Sequence, residues 1–210
     1  GLKKQVDDAE IIAVTLGKEA AESTLQSALA MGADRGILIR SDYSPDSMVT
    51  ARALKTAIEQ DGAPDIIFSG NESIDSEGFQ TMFRLGAALN VPVVNNVVAF
   101  KMEGGHVTAE CKMDAGRIGV MRMPLPCIIG AGKALNKPRY PTLPDIMKAR
   151  KKPIRTITLD SLELDSPAGR MEVVELRPAV EKRRSQIIEG PLEKAVSELV
   201  RLLREEAKVI

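Results

Sequence analysis

Ile11-Ile12-Ala13-Val14-Thr15-Leu16-Gly17 decides the fold of this 210-residue chain. A short, nearly unbroken apolar run closed by glycine suits a strand buried on both faces of a helix-covered sheet. The period then changes. Lys18 to Met31 is rich in Ala and Glu, places Ala21, Leu25, Ala28 and Leu29 at helical spacing, and is stopped by Gly32. Arg35 to Arg40 centres on Gly36-Ile37-Leu38-Ile39, a second buried strand. A second helix is predicted to start at Asp46, with Val49, Ala53, Leu54, Ala57 and Ile58 inward, and to end at Gly62. Asp65 to Gly70 is a third strand. Strands alternating with amphipathic helices give βαβ units, and right-handed crossovers put the helices on the sheet faces. The expected class is therefore α/β, a doubly wound, mostly parallel, Rossmann-like sheet.

After Asn90 the texture is different. Val91 to Phe100, Val107 to Met113, Ile118 to Met123 and Cys127 to Ile129 are short strand-like runs, with a Gly104-Gly105 hairpin turn between the first two. They predict an antiparallel extension of the same sheet, with Pro124 and Pro126 at an edge or outside the ladder. From Lys151 to Glu189 the chain is polar and punctuated by Pro153, Pro167 and Pro178, which reads as an extended arm. Gly190-Pro191 opens a helix with Ala195, Val196, Leu199, Val200, Leu202 and Leu203 on one face. The expected organisation is an α/β domain over 1–150, including a loop at 133–147, and an arm with a helix over 151–210.

Composition excludes some functions. Lys+Arg and Asp+Glu are both 29, and aromatics are 3% with no Trp. This disfavours nucleic acid as a partner and base stacking as a mode of binding. No apolar run approaches a membrane span, and the N-terminus has no signal-peptide core, so no direct membrane insertion is expected. Cys111 and Cys127 lack C-x-x-C spacing and read as buried free thiols of a reducing compartment. His106, the single histidine, sits in a hairpin turn, which leaves a His metal cluster or a Ser-His-Asp triad without partners. No catalytic residue and no metal ligand is expected.

The ligand candidate is Ser69 to Thr81, after the third strand. Open α/β sheets bind ligands outside the carboxyl ends of their strands, where helix N-termini favour phosphate. Gly70 and Gly78 permit close backbone approach, and Ser73, Ser76, Gln80 and Thr81 offer neutral donors. Glu72, Asp75 and Glu77 fit a phosphate poorly, and a helix cap is the competing reading. Gly130-Ala131-Gly132-Lys133-Ala134 imitates a P-loop and fails, with Cys127 for the first Gly and Ala134 for the hydroxyl residue.

A second segment, Leu135 to Lys152, carries Pro138, Pro141 and Pro144, Tyr140, an exposed-looking Leu135 and a basic tail. Three prolines rule out a strand, and the apolar content suits a docking element as well as it suits a stiff crossover.

Ala28-Leu29-Ala30-Met31-Gly32-Ala33-Asp34-Arg35, Ile74-Asp75 with Gln80-Thr81, Leu135-Asn136-Lys137-Pro138-Arg139-Tyr140 and Ile146-Met147-Lys148-Ala149 together resemble the β subunit of electron transfer flavoprotein. Ile188-Glu189-Gly190 and the Leu-rich helix resemble that family's C-terminus, and the resemblance runs from about Ile11 onward. It implies a heterodimer whose α subunit holds most of the FAD site, with AMP or a second FAD in this subunit. By the family's nucleotide loop, Gly70, Ser73, Ser76, Phe79, Gln80 and Thr81 bind that nucleotide or lie beside it. By its recognition loop, Leu135 is the apolar anchor, within Leu135, Asn136, Lys137, Pro138, Arg139 and Tyr140, for flavoprotein dehydrogenases such as acyl-CoA dehydrogenases. A quinone oxidoreductase or similar acceptor takes the electrons onward, and the arm embraces the α subunit. The resemblance implies an electron carrier without bond-making chemistry, in the cytoplasm of a bacterium or the matrix of a mitochondrion.

The chain departs from the family at two places. It begins at Gly1-Leu2-Lys3-Lys4 in what is the family's first helix, so the opening V-K-Q-V strand and N-P-x-D loop are expected to be missing. Ser76 and Phe79 stand where many members carry Asp and Asn or similar residues. Two readings from other classes compete: a stand-alone nucleotide-binding regulator of universal-stress type, and a small phosphate-ester hydrolase using Asp75 and Glu77. The first leaves Leu135 to Lys152 and the arm without a role.

Overall fold

The computed structural model describes residues 9–73, 77–164, 169, 171, 173–178 and 186–209. The chain divides into two compact units, Gly1–Glu172 and Val173–Ile210.

In the first unit β1 (Ile12–Gly17), α1 (Glu22–Ala30), β2 (Arg35–Arg40), α2 (Ser47–Asp61), β3 (Ile66–Gly70) and α3 (Thr81–Leu89) alternate as the hydrophobic periods require. Then come β4 (Val93–Glu103), β5 (His106–Lys112), β6 (Ile118–Pro124), β7 (Cys127–Ala131), α4 (Leu143–Ala149) and β8 (Ile154–Thr158). The class is mixed α/β with parallel pairing predominant, as expected. The strands, however, form two sheets: β1-β2-β8, all parallel, and β3-β7-β4-β5-β6. In the second sheet β3-β7-β4 is parallel and β4-β5-β6 antiparallel, so the hairpins extend this sheet alone. Among the described residues, β1, β8, β3 and β6 each keep one unpaired edge.

Helix α2 links the two halves. Val49, Ala53 and Ala57 pack on Ile37, Ile39 and Ile157 of the first sheet, whereas Ala51, Leu54 and Ile58 pack with Met82, Leu85 and Ile128 beside the second. Alanines on the inner stripe bring its backbone close to the strands. Asp46 caps it, accepting bonds of 2.9 Å from both Met48 N and Val49 N.

Lys151 was expected to open an extended arm. Instead the backbone enters the first sheet at Ile154, pairing Gly36 with Ile154 through Arg40 with Thr158, and Leu159 and Leu162 are buried beyond it. A five-residue β-branched strand, Ile-Arg-Thr-Ile-Thr, outweighs the polar composition around it.

The Ala33-Asp34-Arg35 motif explains itself here. Asp34 Oδ2 accepts from Ile11 N at 2.9 Å, setting the entry to β1. Arg35 donates to both oxygens of Glu10 (2.8 and 3.1 Å) and both of Asp61 (2.7 and 2.6 Å). The guanidinium hydrogen bonds hold the Glu10 and Asp61 carboxyls below their usual range. Depressed folded-state values add stability above the ordinary carboxylate range, lost as pH falls through those values. Arg35→Met is therefore expected to lower stability at pH 7 by about 1–2 kcal/mol, partial solvation limiting the figure. It should also flatten the loss below about pH 4. Urea melts at pH 7 and pH 3 check both; an unchanged acid slope rules out this cluster as its source.

In the second unit α5 (Leu192–Glu205) is amphipathic, with Leu192, Val196, Leu199 and Val200 exposed along one stripe. Arg201 opposite pairs with Glu198 (2.7 Å) and Glu205 (2.9 Å).

Candidate functional site

The carboxyl ends of β3 and β7 meet the start of α3. The loop between β3 and α3 bends sharply, with Glu77 at φ 45° and Phe79 at φ 49°, left-handed values that cost a non-glycine residue energy and collect at functional loops. Gln80 occupies the N-cap of α3 and makes no side-chain cap bond, in contrast to Asp46 on α2. The capping reading of this segment therefore does not apply to Gln80. Unpaired amides in the first turn of a helix suit an anion, and the Gln80 side chain caps none of them here.

Gln80 does something else. Its Oε1 accepts from Arg84 Nε (3.0 Å) and Nη2 (2.5 Å), and from Ser47 Oγ (3.4 Å) at the start of α2. A cation one turn into α3 is thus held at the helix start, and the Gln80 NH2 group makes no hydrogen bond with another described residue. Thr81, half-buried, is the first helical residue. Gly70 ends β3 and is exposed, with open space where a Cβ would stand. Ser73 is exposed, and its carbonyl accepts from Glu77 N at 3.0 Å. Phe79 is half-buried against Met82, Leu85 and Ile128 and meets the Phe83 ring at 5.6 Å, so it braces the loop from beneath. Ser76 and Asp75 lie outside the described residues. Glu77 is exposed.

Four residues adjoin the candidate site without having been assigned to it from the sequence. Asn71 Nδ2 donates to Asn96 Oδ1 at 2.6 Å, and Asn96 N donates back to Asn71 Oδ1 at 3.4 Å, between the end of β3 and the interior of β4. Asn96, at φ 52°, sits in the irregular stretch where β4 passes from β7 to β5. Gly130 and Gly132 let this edge close: a Cβ on Gly130 would lie 2.7 Å from Asn71 Oδ1, and one on Gly132 would lie 3.0 Å from Val97 O. Paired asparagines inside an apolar strand were the available signal. The glycines were noticed and set aside as a failed P-loop, when their role is close packing.

The apolar recess of about 250 Å³ lined by Ile58, Pro64, Ile67, Leu89, Val91 and Cys127 lies at the opposite, amino ends of these strands. It offers a phosphate little. Cys127 and Cys111 are both free and buried, and burial pushes their thiols up, toward the unreactive form. His106 sits at the turn, its Nδ1 3.1 Å from Gly104 O.

In the basic segment Leu135 is half-buried, not exposed. Its N–H bonds Gly132 O at 3.1 Å, and this tight turn tucks the side chain against the β4–β5–β7 cluster. Asn136, Lys137, Pro138, Arg139 and Tyr140 are exposed, and Tyr140 is the most open of them at 95%. Among the described residues, no group of His, Cys, Asp and Glu could hold a metal, and no helix is long and apolar enough to cross a membrane.

A parallel α/β domain with an uncapped helix start at the carboxyl edge of its strands has the architecture of nucleotide-binding proteins. Comparison narrows this class. Residues 1–162 match the electron transfer flavoprotein domain. The chain is 35% identical over 212 residues to "Electron transfer flavoprotein subunit beta" of Bacillus subtilis, covering 99% of this chain and 82% of that one. The subunit of the same name from Bradyrhizobium diazoefficiens is 34% identical over 210 residues, covering 100% and 81%. The mitochondrial one from Oryza sativa subsp. japonica is 33% identical over 205 residues, covering 96% and 78%. The chain belongs to the electron transfer flavoprotein family, among its β subunits.

Proposed function

We propose that this chain is the nucleotide-holding and docking subunit of a heterodimeric electron carrier. An α subunit would hold most of the FAD. This chain would bind AMP, or a second FAD, through the loop from Gly70 to Thr81. Electrons would enter from flavoprotein dehydrogenases such as acyl-CoA dehydrogenases and leave to a quinone oxidoreductase or similar acceptor. The arm and α5 would clasp the α subunit. The setting would be a bacterial cytoplasm or a mitochondrial matrix, in keeping with the relatives' names.

The observation that carries the nucleotide assignment is the uncapped start of α3 with Arg84 held beside it by Gln80. An anionic phosphate fits that chemistry: backbone N–H groups, the Thr81 hydroxyl, the Gln80 amide and one guanidinium. Asn71 and Asn96 would keep the strand ends in place around it, and Phe79 would brace the loop. A bound flavin would supply the one- and two-electron redox chemistry. This chain's residues would bind, orient and shield without forming or breaking bonds.

The test is co-purification with the neighbouring-gene product, followed by a flavin spectrum and nucleotide extraction. Combining Thr81→Val with Gln80→Ala is expected to lower bound nucleotide and loosen the heterodimer. Each lost hydrogen bond to a charged phosphate is worth roughly 1.5–3 kcal/mol. Unchanged nucleotide content in the denatured extract would reduce this loop to a structural helix start.

A further inference from the structure

The candidate nucleotide loop and the loop that follows β7 are joined by hydrogen bonds. Asn71, the first residue beyond β3, grips Asn96 with both ends of its carboxamide: Nδ2 donates to Asn96 Oδ1 (2.6 Å), and Oδ1 accepts from Asn96 N (3.4 Å). Val97 O accepts from Gly132 N at 2.9 Å, and Gly132 O accepts from Leu135 N at 3.1 Å. The path leads from the end of β3, through β4, into the base of the second loop.

Two glycines make this path stiff. A Cβ on Gly130 would lie 2.7 Å from Asn71 Oδ1 and 3.0 Å from Asn95 Cα, and one on Gly132 would lie 3.0 Å from Val97 O and 3.3 Å from Asn96 C. No side chain of β7 intervenes at these points, so a rotamer change there cannot absorb a displacement. The joint is Asn96. It stands at φ 52°, left-handed backbone that costs most non-glycine residues energy and asparagine least. The pairing of β4 shifts register on both sides of Val97, and among the described residues Asn96 has no partner in either ladder. The grip of Asn71, rather than the sheet, holds it left-handed. Without that grip Asn96 relaxes toward extended backbone and turns the peptide link to Val97.

The far end of the second loop is pinned separately. Arg139 Nη2 donates to Met31 O at 3.1 Å, at the carboxyl end of α1, and Asp145 Oδ2 accepts from Thr142 N (2.9 Å) and Oγ1 (2.7 Å) at the start of α4. Movement that enters through Gly132 is confined to the base.

We propose that Asn71 and Asn96 couple the two loops: nucleotide bound after β3 fixes Asn71, Asn71 holds Asn96 left-handed, and the bonds at Gly132 and Leu135 close. This rests on the reading of Gly70 to Thr81 as a nucleotide site. Linkage makes the effect reciprocal, so whatever orders the base of the second loop tightens the nucleotide by the same factor.

The test is hydrogen exchange on the heterodimer, stripped of nucleotide by dialysis with a 5′-nucleotidase and then, with that enzyme removed, at saturating AMP. AMP is expected to slow exchange of the Gly132 and Leu135 amides about fivefold or more. The Ile146 amide, bonded to Thr142 O in the pinned far end, should not change. Asn96→Gly keeps a residue at ease with left-handed backbone and removes the carboxamide that Asn71 holds. Asn71→Ala makes the same break from the other side. In each variant, at AMP concentrations that again saturate, the slowing is expected to vanish. Unchanged exchange at Gly132 and Leu135 in a heterodimer that binds AMP overturns the coupling alone, as does undiminished slowing in both variants. A heterodimer that takes up no AMP removes the coupling, and one whose extract also holds no second FAD removes the nucleotide reading as well.

Discussion

Gly130→Val is expected to keep the chain from folding, and Gly130→Ala to leave a folded domain with a damaged nucleotide edge. Gly130 lies in β7, paired on both sides by parallel strands. A Cβ there would stand 2.7 Å from Asn71 Oδ1, 2.8 Å from Met82 Sδ and 3.0 Å from Asn95 Cα. The Met82 thioether can move aside, but the Asn95 backbone belongs to β4. One methyl therefore costs about 1–3 kcal/mol by overpacking. Two further methyls add several more, against a domain stability of about 5–15 kcal/mol. In the alanine variant the displaced Asn71 would lose its bond to Asn96, and the end of β3 would part from β4 where the nucleotide is proposed to sit. Denaturant midpoints and nucleotide content of the purified complex measure both effects. Wild-type values for Gly130→Ala in both would show that this edge yields at no cost.

Ending the chain after Gly190 is expected to weaken subunit association at least about a hundredfold while leaving the α/β core intact. The helix removed, α5, exposes Leu192, Val196, Leu199 and Val200 along one stripe. Burying each against a partner is worth about 1.5–3 kcal/mol before ordering costs, and a hundredfold needs only about 2.7 kcal/mol. The opposite face, with Arg201 bridging Glu198 and Glu205, suits water. Sedimentation of the truncated heterodimer gives the affinity, and a thermal melt of the truncated chain reports on the core. Unchanged association together with a lower melting temperature would assign α5 to its own subunit.

The parallel half of the fold was legible because its strands are continuous apolar runs and its helices end at Gly32 and Gly62. Both glycines do adopt positive φ, 122° and 130°. The separation into two sheets was not, because pairing partners are set by tertiary packing and leave no local pattern. β8 was missed for a related reason: Ile154-Arg155-Thr156-Ile157-Thr158 alternates too briefly to stand out beside prolines and lysines. In the site, the donors on the loop were readable as residue types in a known topological place. Their division of labour was not. Nothing in Gln80 announces that its carbonyl holds Arg84, nor in Leu135 that a bond from its own N–H to Gly132 turns it inward.

The fastening of α4 to α1 has a consequence for the order in which the protein is made. Arg139 reaches Met31 O across 108 residues, and Lys152 Nζ donates to Leu29 O and Ala33 O across 123 and 119. Such pairings close long loops and form late. A nascent chain emerging from the ribosome cannot complete the first sheet until β8 has been synthesised and has found β2. Before Arg139 and Lys152 have emerged, the Leu29, Met31 and Ala33 carbonyls at the end of α1 lack these donors. Incomplete chains would thus leave one edge of β2 unpaired and the end of α1 without its long-range donors.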